Sequence, residues 1–503
     1  MKMRKLLTAL MLMAASTASA QETVRLKVMS FNIWYGGDQV NFTKVIEAIR
    51  AADPDIVGLQ EPDGKTLKIA ELAGYPYADT RRHIISKYPI FDSGSGETTF
   101  TGAPPYSVAG VDPDAVHAWV LVAPGKVVAV ANTHLTSDPY GPELARDGAT
   151  LDEILANETD ARLPEAQALI DGLAPVAASG APVILTGDFN TPSPLDWTAA
   201  AVAARGLPMA VEWPPTKALM AAGFTDSYRA AHPDPVANPG LTWTPGRPVG
   251  VMPEGETLDR IDYVWAVNAT VTDSTVVGEP GGPDVGVAIT LWPSDHRAVL
   301  TTLDVVPVAA PALITTEPRP VRENSDLLIR VNVPGGGGWA AFVVPRGGDA
   351  ATAALTGITD VTLEDRSTIL FSTRGMEPGP YDAVLLSPEG TELARHAFSV
   401  VAANGEATLT VTQDKVTPGG DIALHFQGSP GFKLDWIGIY RKGDPSVYSY
   451  LGFAYTGARH QGDIVFPAAD LYEELAPGDY EARLYLDDHY RTLAIAPFTV
   501  TAE

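Results

Sequence analysis

The 503 residues carry 35 Lys and Arg against 61 Asp and Glu, a formal charge of -26, and so acidic a surface repels nucleic-acid backbones and anionic membranes over most of its area. With 45% hydrophobic and 19% charged residues, the chain has apolar side chains for several packed domains, which excludes wholesale disorder. The absence of cysteine excludes structural disulfides, thiolate nucleophiles, Fe-S clusters and Cys-type zinc sites, so any metal must be held by Asp, Glu, Asn and His.

Residues 1–20 begin with Lys2, Arg4 and Lys5, continue as an apolar run from Leu6 to Ala15, and end on Ala18-Ser19-Ala20. This pattern predicts a secretory signal peptide, too short in its apolar part to anchor in a bilayer. The protein is therefore expected to be exported, to the periplasm or the medium, without a transmembrane anchor. From Val24 to about Val308, β-branched runs alternate with helical segments and Pro/Gly-rich loops, the mark of an α/β domain over 21–308. Strands are expected at Val24–Trp34, Asp55–Glu61, Ala115–Ala123, Lys126–Leu135, Pro182–Asn190, Arg260–Val267 and Arg297–Val306, and helices at Phe42–Ala52 and Glu158–Leu173.

After Pro307 the helical periodicity stops and short strands punctuated by Gly and Pro take over. Gly379-Pro380-Tyr381-Asp382-Ala383 returns as Gly478-Asp479-Tyr480-Glu481-Ala482, Phe398-Ser399-Val400 as Phe498-Thr499-Val500, and Trp339 as Trp436. The offsets are about 100 residues, the size of an immunoglobulin-like sandwich, which predicts two β-sandwich modules, 309–403 and 404–503, meeting near Ala403–Gly405. The repeated Gly-x-Tyr reads as a turn followed by a core aromatic, with ligand binding around Asp435-Trp436 or Asp487-Asp488 as the alternative. Pro307-Val308-Ala309-Ala310-Pro311 reads as a linker, so the modules are expected to be separable from the chemistry.

Six segments of the first domain place polar residues at or beside strand ends: Ser30-Phe31-Asn32, Leu59-Gln60-Glu61, Asn132-Thr133-His134-Leu135, Thr186-Gly187-Asp188-Phe189-Asn190, Arg260-Ile261-Asp262-Tyr263 and Ser294-Asp295-His296. Singly, each is as compatible with a turn or a cap. In this order the set resembles the endonuclease/exonuclease/phosphatase superfamily of metal-dependent phosphoesterases, over roughly Val24 to Val308; Ile85-Ser86-Lys87-Tyr88-Pro89-Ile90 adds to the likeness. The resemblance implies a DNase I-like four-layer α/β sandwich ahead of the two immunoglobulin-like modules.

It also implies a site. Glu61 is the expected primary ligand of a hard divalent cation, Mg2+ with Mn2+ or Ca2+ as alternatives; Asn32 stands beside it and Asp295 is a second ligand from the opposite side. Asp188 is expected to orient and deprotonate the attacking water, Asn190 and His134 to donate to phosphoryl oxygens, and His296 to contact the phosphate or the water with its tautomer fixed by Asp262. In the stretch 91–116 nuclease members place a Tyr and an Arg, whereas this chain offers Tyr106 and no Arg. Asp226 is expected to pair with an Arg in its loop.

The acidic insertion from Ser137 to Asp160, holding Tyr140, reads either as a solvated capped loop or as a wall that narrows the cleft. No basic cluster exceeds Arg81-Arg82 with Lys87, which disfavours nucleic acid as partner. The expected activity is hydrolysis of a small, sugar-linked or lipid-headgroup phosphoester, the alternatives being a secreted DNase I-like nuclease and a catalytically silent binding or adhesion protein.

Overall fold

The computed structural model describes residues 22–92, 116–243 and 257–501, apart from 318–320, 335–338, 346, 350–365, 403–405, 414, 430–434, 448, 458 and 487–491. The expected signal peptide, Tyr106, the 403–405 boundary and Asp487-Asp488 lie outside the described residues. None of the described helices is long and apolar enough to cross a membrane.

The first part of the chain runs β1 (Val24–Asn32), α1 (Phe42–Ala52), β2 (Ile56–Gln60), α2 (Thr66–Ala73), β3 (Tyr77–Asp79), β4 (Ile84–Ser86), β5 (Ile90–Asp92), β6 (His117–Ala123) and β7 (Lys126–His134). Then come α3 (Gly141–Arg146), α4 (Leu151–Ala161), α5 (Leu163–Ala178), β8 (Val183–Asp188), α6 (Ala199–Arg205), α7 (Pro214–Ala221), β9 (Thr225–Asp226) and α8 (Ser227–Ala231). Strands β10 (Asp262–Val267), β11 (Ala269–Gly278), β12 (Val285–Ala288) and β13 (Ala298–Val305) complete it. One sheet has the order β12-β11-β13-β1-β2-β4-β3 and the other β5-β6-β7-β8-β10-β9.

Leu26, Val28, Ile56, Val128, Val130, Ile184, Val264 and Leu303 form one core between the two sheets. On the outer face of the first sheet, Met29, Phe31, Val57 and Leu59 pack on the apolar stripe Val45, Ile46 and Ile49 of α1. On the outer face of the second, Val183, Leu185 and Trp265 pack on Leu169 and Leu173 of α5. The result is four layers, helix, sheet, sheet, helix, because each strand is apolar on both faces. Asn41 caps α1 through its side chain, and Asp53 ends it in the left-handed region.

Several expected boundaries shift. The helix expected over Glu158–Leu173 is two helices that meet at Arg162. That guanidinium is fully buried and donates to Glu158 Oε1 at 2.7 Å and to the carbonyls of Thr136, Ser137 and Pro139. The insertion is thus packed structure around an ion pair, which accounts for Glu158, while Thr150 and Glu153 form a capping box at the start of α4. Asp226 accepts from Arg260 at 2.6 Å, while Arg229 in its own loop turns to Asp196; the pair is structural as expected, with a more distant Arg.

The rest is β structure: β14 (Val308–Ala309), β15 (Leu313–Thr316), β16 (Val321–Arg322), β17 (Asp326–Asn332), β18 (Ala340–Pro345), β19 (Arg366–Ser372), β20 (Gly379–Leu386) and β21 (Glu392–Val401). After them come β22 (Thr408–Val411), β23 (Ile422–Gln427), β24 (Trp436–Arg441), β25 (Gly452–Tyr455), β26 (Gln461–Phe466), β27 (Gly478–Tyr485) and β28 (Thr492–Val500). Sheets β15-β17-β19 and β16-β21-β20-β18 face each other in the first sandwich, β22-β23-β26 and β25-β24-β27-β28 in the second. The sequence repeat is a repeated corner: Tyr381 stacks on Phe398 and donates to Glu377 O at 3.0 Å, and Tyr480 stacks on Phe498 and donates to Ala476 O at 2.9 Å.

The expected free linker is not one. Val308 and Ala309 pair with β7 of the first domain, and Ala310 and Leu313 are buried with Phe91, Leu121 and Val127. Apolar residues in a linker remove their surface from water wherever unpaired strand backbone offers a place, and the start of β7, which runs past β8, offers one.

Candidate active site

Strand alternation builds the site. Side chains two apart share a face, so Asn32 follows Leu26, Val28 and Ser30 into the space between the sheets, and Gln60 follows Ile56 and Gly58. From the facing sheet, Asn132 and His134 follow Val128 and Val130, Asp188 follows Ile184 and Thr186, and Asp262 shares the face of Val264. The filling turns from apolar to polar along all five strands at the same end. Gly58 is required at the changeover, since a Cβ there would lie 1.9 Å from Thr186 Oγ1 and 2.4 Å from Asn132 Oδ1.

Hydrogen bonds lock this end. Gln60 Nε2 donates to Asn132 Oδ1 at 2.6 Å, and Asn132 Nδ2 donates to the carbonyls of Leu59 and Arg82. Asn32 Nδ2 donates to Glu61 Oε1 at 3.0 Å and to Asp188 Oδ2 at 2.9 Å. Glu61, at φ 54°, accepts at its other oxygen from the Tyr35 backbone N–H at 2.8 Å. Strand register places His134 and Asp262 directly beside Asp188 on either side.

Asp188 is the centre of the cluster. Its Oδ1 accepts from the Asn190 N–H at 2.9 Å, and its Oδ2 lies 3.4 Å from His134 Nε2 and 3.6 Å from His296 Nε2. His296 Nδ1 is 2.9 Å from Asp262 Oδ2, so the expected Asp-His pair forms, and Trp243 packs on the imidazole at 4.7 Å. Ser294 Oγ donates to Asn32 O and accepts from the His296 N–H, which ties this loop to β1. Asp295 is buried in the cleft lining beside His296. Asn190 sits at φ 49° with its amide donating to Leu135 O at 2.8 Å, so that N–H holds the loop, and contact with a phosphoryl oxygen would use the other.

Burial alone would push the Asp188 carboxyl up, but the His296 charge, His134 and the Asn32 hydrogen bond outweigh it and hold it at about 2. Asp262 is raised, chiefly by burial, against the pull of His296. Burial opposes a charged His296 ring, yet Asp262 and Asp188 raise it well above the usual histidine range. The arrangement is an anionic Asp188 carboxylate facing a cationic imidazole, with His134, 29% exposed, nearer the opening.

Asp188, Asp262 and His296 place one ligand atom each within 4.8 Å of one another. Since His296 Nδ1 is taken by Asp262, this trio works better as a hydrogen-bonded relay than as a metal cage. Asn32 holds the carboxylates of Glu61 and Asp188 to one amide, with Asp295 in the same cleft lining, and an oxygen-rich set of this kind suits a hard divalent cation.

The site opens into a cleft of about 610 Å³. Its walls hold Arg81 of the basic cluster and residues the sequence did not mark as site residues: Trp34, Tyr35 and Trp243, with Tyr450, Phe453 and Tyr455 from the second sandwich. Trp436, named as an alternative ligand site, is also there, as are Asp138, Tyr140 and Glu143 from the insertion. An aromatic strand face turned away from its own sandwich core is the signal that could have pointed to the second sandwich.

The chain matches the Endonuclease/Exonuclease/phosphatase family over residues 29–296. It is 27% identical over 263 residues to the protein F14F9.5 of Caenorhabditis elegans, covering 48% of this chain and 78% of that one. Among solved structures it is similar to an endonuclease/exonuclease/phosphatase from Beutenbergia cavernae DSM 12333, at 19% identity and TM-score 0.34 over 75% of this chain and 99% of that one. It is also similar to a mannosyl-6-phosphatase of Bacteroides thetaiotaomicron VPI-5482, at 17% identity and TM-score 0.31 over 55% and 99%. With six ordered motif segments closing on one rim and the family match running across all of them, the chain belongs to the endonuclease/exonuclease/phosphatase family, whose members hydrolyse phosphoester bonds.

Proposed function

We propose that the protein is an exported, divalent-metal-dependent hydrolase of a small phosphoester, a phosphodiesterase or phosphatase acting on a sugar-linked or lipid-headgroup phosphate. The observation that carries this reading is the convergence of Asn32, His134 and His296 nitrogens on Asp188 Oδ2 at 2.9, 3.4 and 3.6 Å. One ionised carboxylate among donors is what an in-line hydrolysis needs beside its phosphorus.

A bound divalent cation, held by Glu61 and Asp295 with Asn32 beside Glu61, would neutralise charge on the phosphoryl oxygens. Asp188 orients the attacking water and accepts its proton as the new P–O bond forms and the ester P–O bond opposite it breaks, the departing alkoxide taking a proton from solvent at the cleft mouth to leave as the alcohol. His296, kept cationic by Asp262 and Asp188, and His134 at the mouth hold the phosphoryl oxygens as negative charge gathers on them. Asp262 sets the imidazole so that Nε2, rather than Nδ1, faces the reaction.

The acidic chain and the acidic groups at the cleft mouth, Asp138 and Glu143, favour a small substrate over a nucleic-acid duplex. Rates on bis-p-nitrophenyl phosphate, p-nitrophenyl phosphate and plasmid DNA, with and without Mg2+ and with Asp188→Asn as control, test the reading. Metal-dependent turnover of a small ester that Asp188→Asn abolishes supports it. Efficient plasmid cleavage with slow turnover of both small esters would replace it with a nuclease.

A further inference from the structure

The cleft is closed by the far end of the chain. In the second sandwich Ile437, Ile439, Ala482 and Leu484 fill the core between its sheets. Strand alternation therefore sends Trp436, Tyr440, Phe453, Tyr455 and Tyr485 to the opposite face of the same sheet. The outer face of an antiparallel sheet ordinarily carries polar side chains. Here it carries an aromatic cluster joined by Tyr450.

The rings are packed on one another. Trp436 stacks on Tyr485 at 4.4 Å and meets Tyr450 at 5.7 Å and Phe453 at 5.9 Å edge to face; Phe453 meets Tyr455 at 5.7 Å. Trp436, Tyr450, Phe453 and Tyr455 line the same cleft as His134, Asp188 and His296. Beside them the catalytic part meets the sandwich at Gly64, where a Cβ would lie 3.0 Å from the Leu486 side chain.

Resting on the hydrolase reading above, we infer that this aromatic face is the binding surface for the alcohol part of the substrate, and that this alcohol is a cyclic polyol such as a hexose or an inositol. A platform of rings covers the flat apolar face of such a ring. Asp63, Arg81, Asp138 and Glu143 line the cleft as well, and their carboxylates and guanidinium suit the hydroxyl rim of a polyol. The second sandwich is then part of the specificity apparatus.

The test uses the full chain with Mg2+ and compares matched substrates. Glycerophosphoinositol is set against glycerophosphoethanolamine and glycerophosphocholine, and glucose 6-phosphate against glycerol 3-phosphate and AMP. Glycerophosphoinositol and glucose 6-phosphate are each expected to have a kcat/KM about tenfold or more above their comparison substrates. Phe453→Ala with Tyr455→Ala, on the edge strand β25, is expected to remove that preference through KM. The singles Phe453→Leu and Tyr455→Leu keep apolar volume, and are expected to lose it in part should the double variant fail to fold. Hydrolysis without a polyol preference, a preference for the choline ester or for AMP, or an intact preference in folded variants overturns the inference and leaves the hydrolase reading standing. Absence of turnover on every substrate with every metal sinks both.

Discussion

Asn32 at the end of β1 and Asp188 at the end of β8 belong to different sheets, and the 2.9 Å hydrogen bond between them is buried. The same amide nitrogen also donates to Glu61, so one side chain sets the spacing of the two carboxylates that the proposed mechanism uses for metal binding and water activation. Asn32→Ala is expected to lower kcat and the apparent metal affinity by about 10–100-fold, the range seen when a partner of metal ligands is removed. Metal titrations of initial rate measure both, and an unchanged metal requirement would show that Asn32 only joins the sheets.

Metal removal gives a second expectation. EDTA should abolish turnover and Mg2+ or Mn2+ restore it, and the same ions should raise the melting temperature of the native chain, because a ligand that binds only the folded state stabilises it. Glu61→Gln should weaken both effects while leaving the metal-free melting temperature near that of the native chain. Full activity in chelator would rule out the mechanism.

The Asp262–His296 pair predicts a pH effect with a definite sign. Asp262 is the foremost of three carboxylates, with Asp188 and Asp295, that raise the His296 pKa, and in the proposed mechanism the cationic ring is the form that holds the phosphoryl oxygens. Activity should therefore fall as pH rises through that pKa, and Asp262→Asn, by removing a raising charge, should move the alkaline limb to lower pH and reduce kcat. His296→Ala should cost several orders of magnitude in kcat. A pH profile of Asp262→Asn that overlays the native one would show that the pairing does not govern the imidazole.

Glu158 and Arg162 are both fully buried, at 2.7 Å. Glu158→Ala leaves the guanidinium with carbonyl partners and no counter-charge, and should destabilise the chain by about 3 kcal/mol. Glu158→Gln, which keeps a hydrogen-bonding oxygen, should cost less. Denaturant melts resolve the difference, and because the pair holds the insertion at Ser137 and Pro139, the alanine variant should also lose activity before it unfolds globally.

Truncation near Val308 is expected to leave a weakened catalytic part. It removes Ala310 and Leu313 from the apolar patch on Phe91, Leu121 and Val127 and takes away one wall of the cleft. Leu313→Ala in the full chain should cost about 2–3 kcal/mol as a cavity mutation. A truncated chain with native melting temperature and native kcat/KM would show that the sandwiches are dispensable to both.

The sequence by itself determined what depends on local pattern. Alternation in β1, β7 and β8 named the strands and the side chains that end them, the ordered motifs picked out Asn32, Glu61, His134, Asp188, Asp262 and His296, and the hundred-residue repeat announced two sandwiches whose Tyr381 and Tyr480 corners match. Those signals are periodic in one chain segment, so they survive without a partner in view. Tertiary structure alone decided the rest. The guanidinium of Arg260 rather than that of Arg229 pairs with Asp226, the linker at 308–309 becomes a strand on β7, and Phe453 and Tyr455 reach the cleft of Asp188. Each joins residues far apart in the chain, through burial and hydrogen bonds whose geometry exists only once the layers have packed, and so leaves no period or spacing to read.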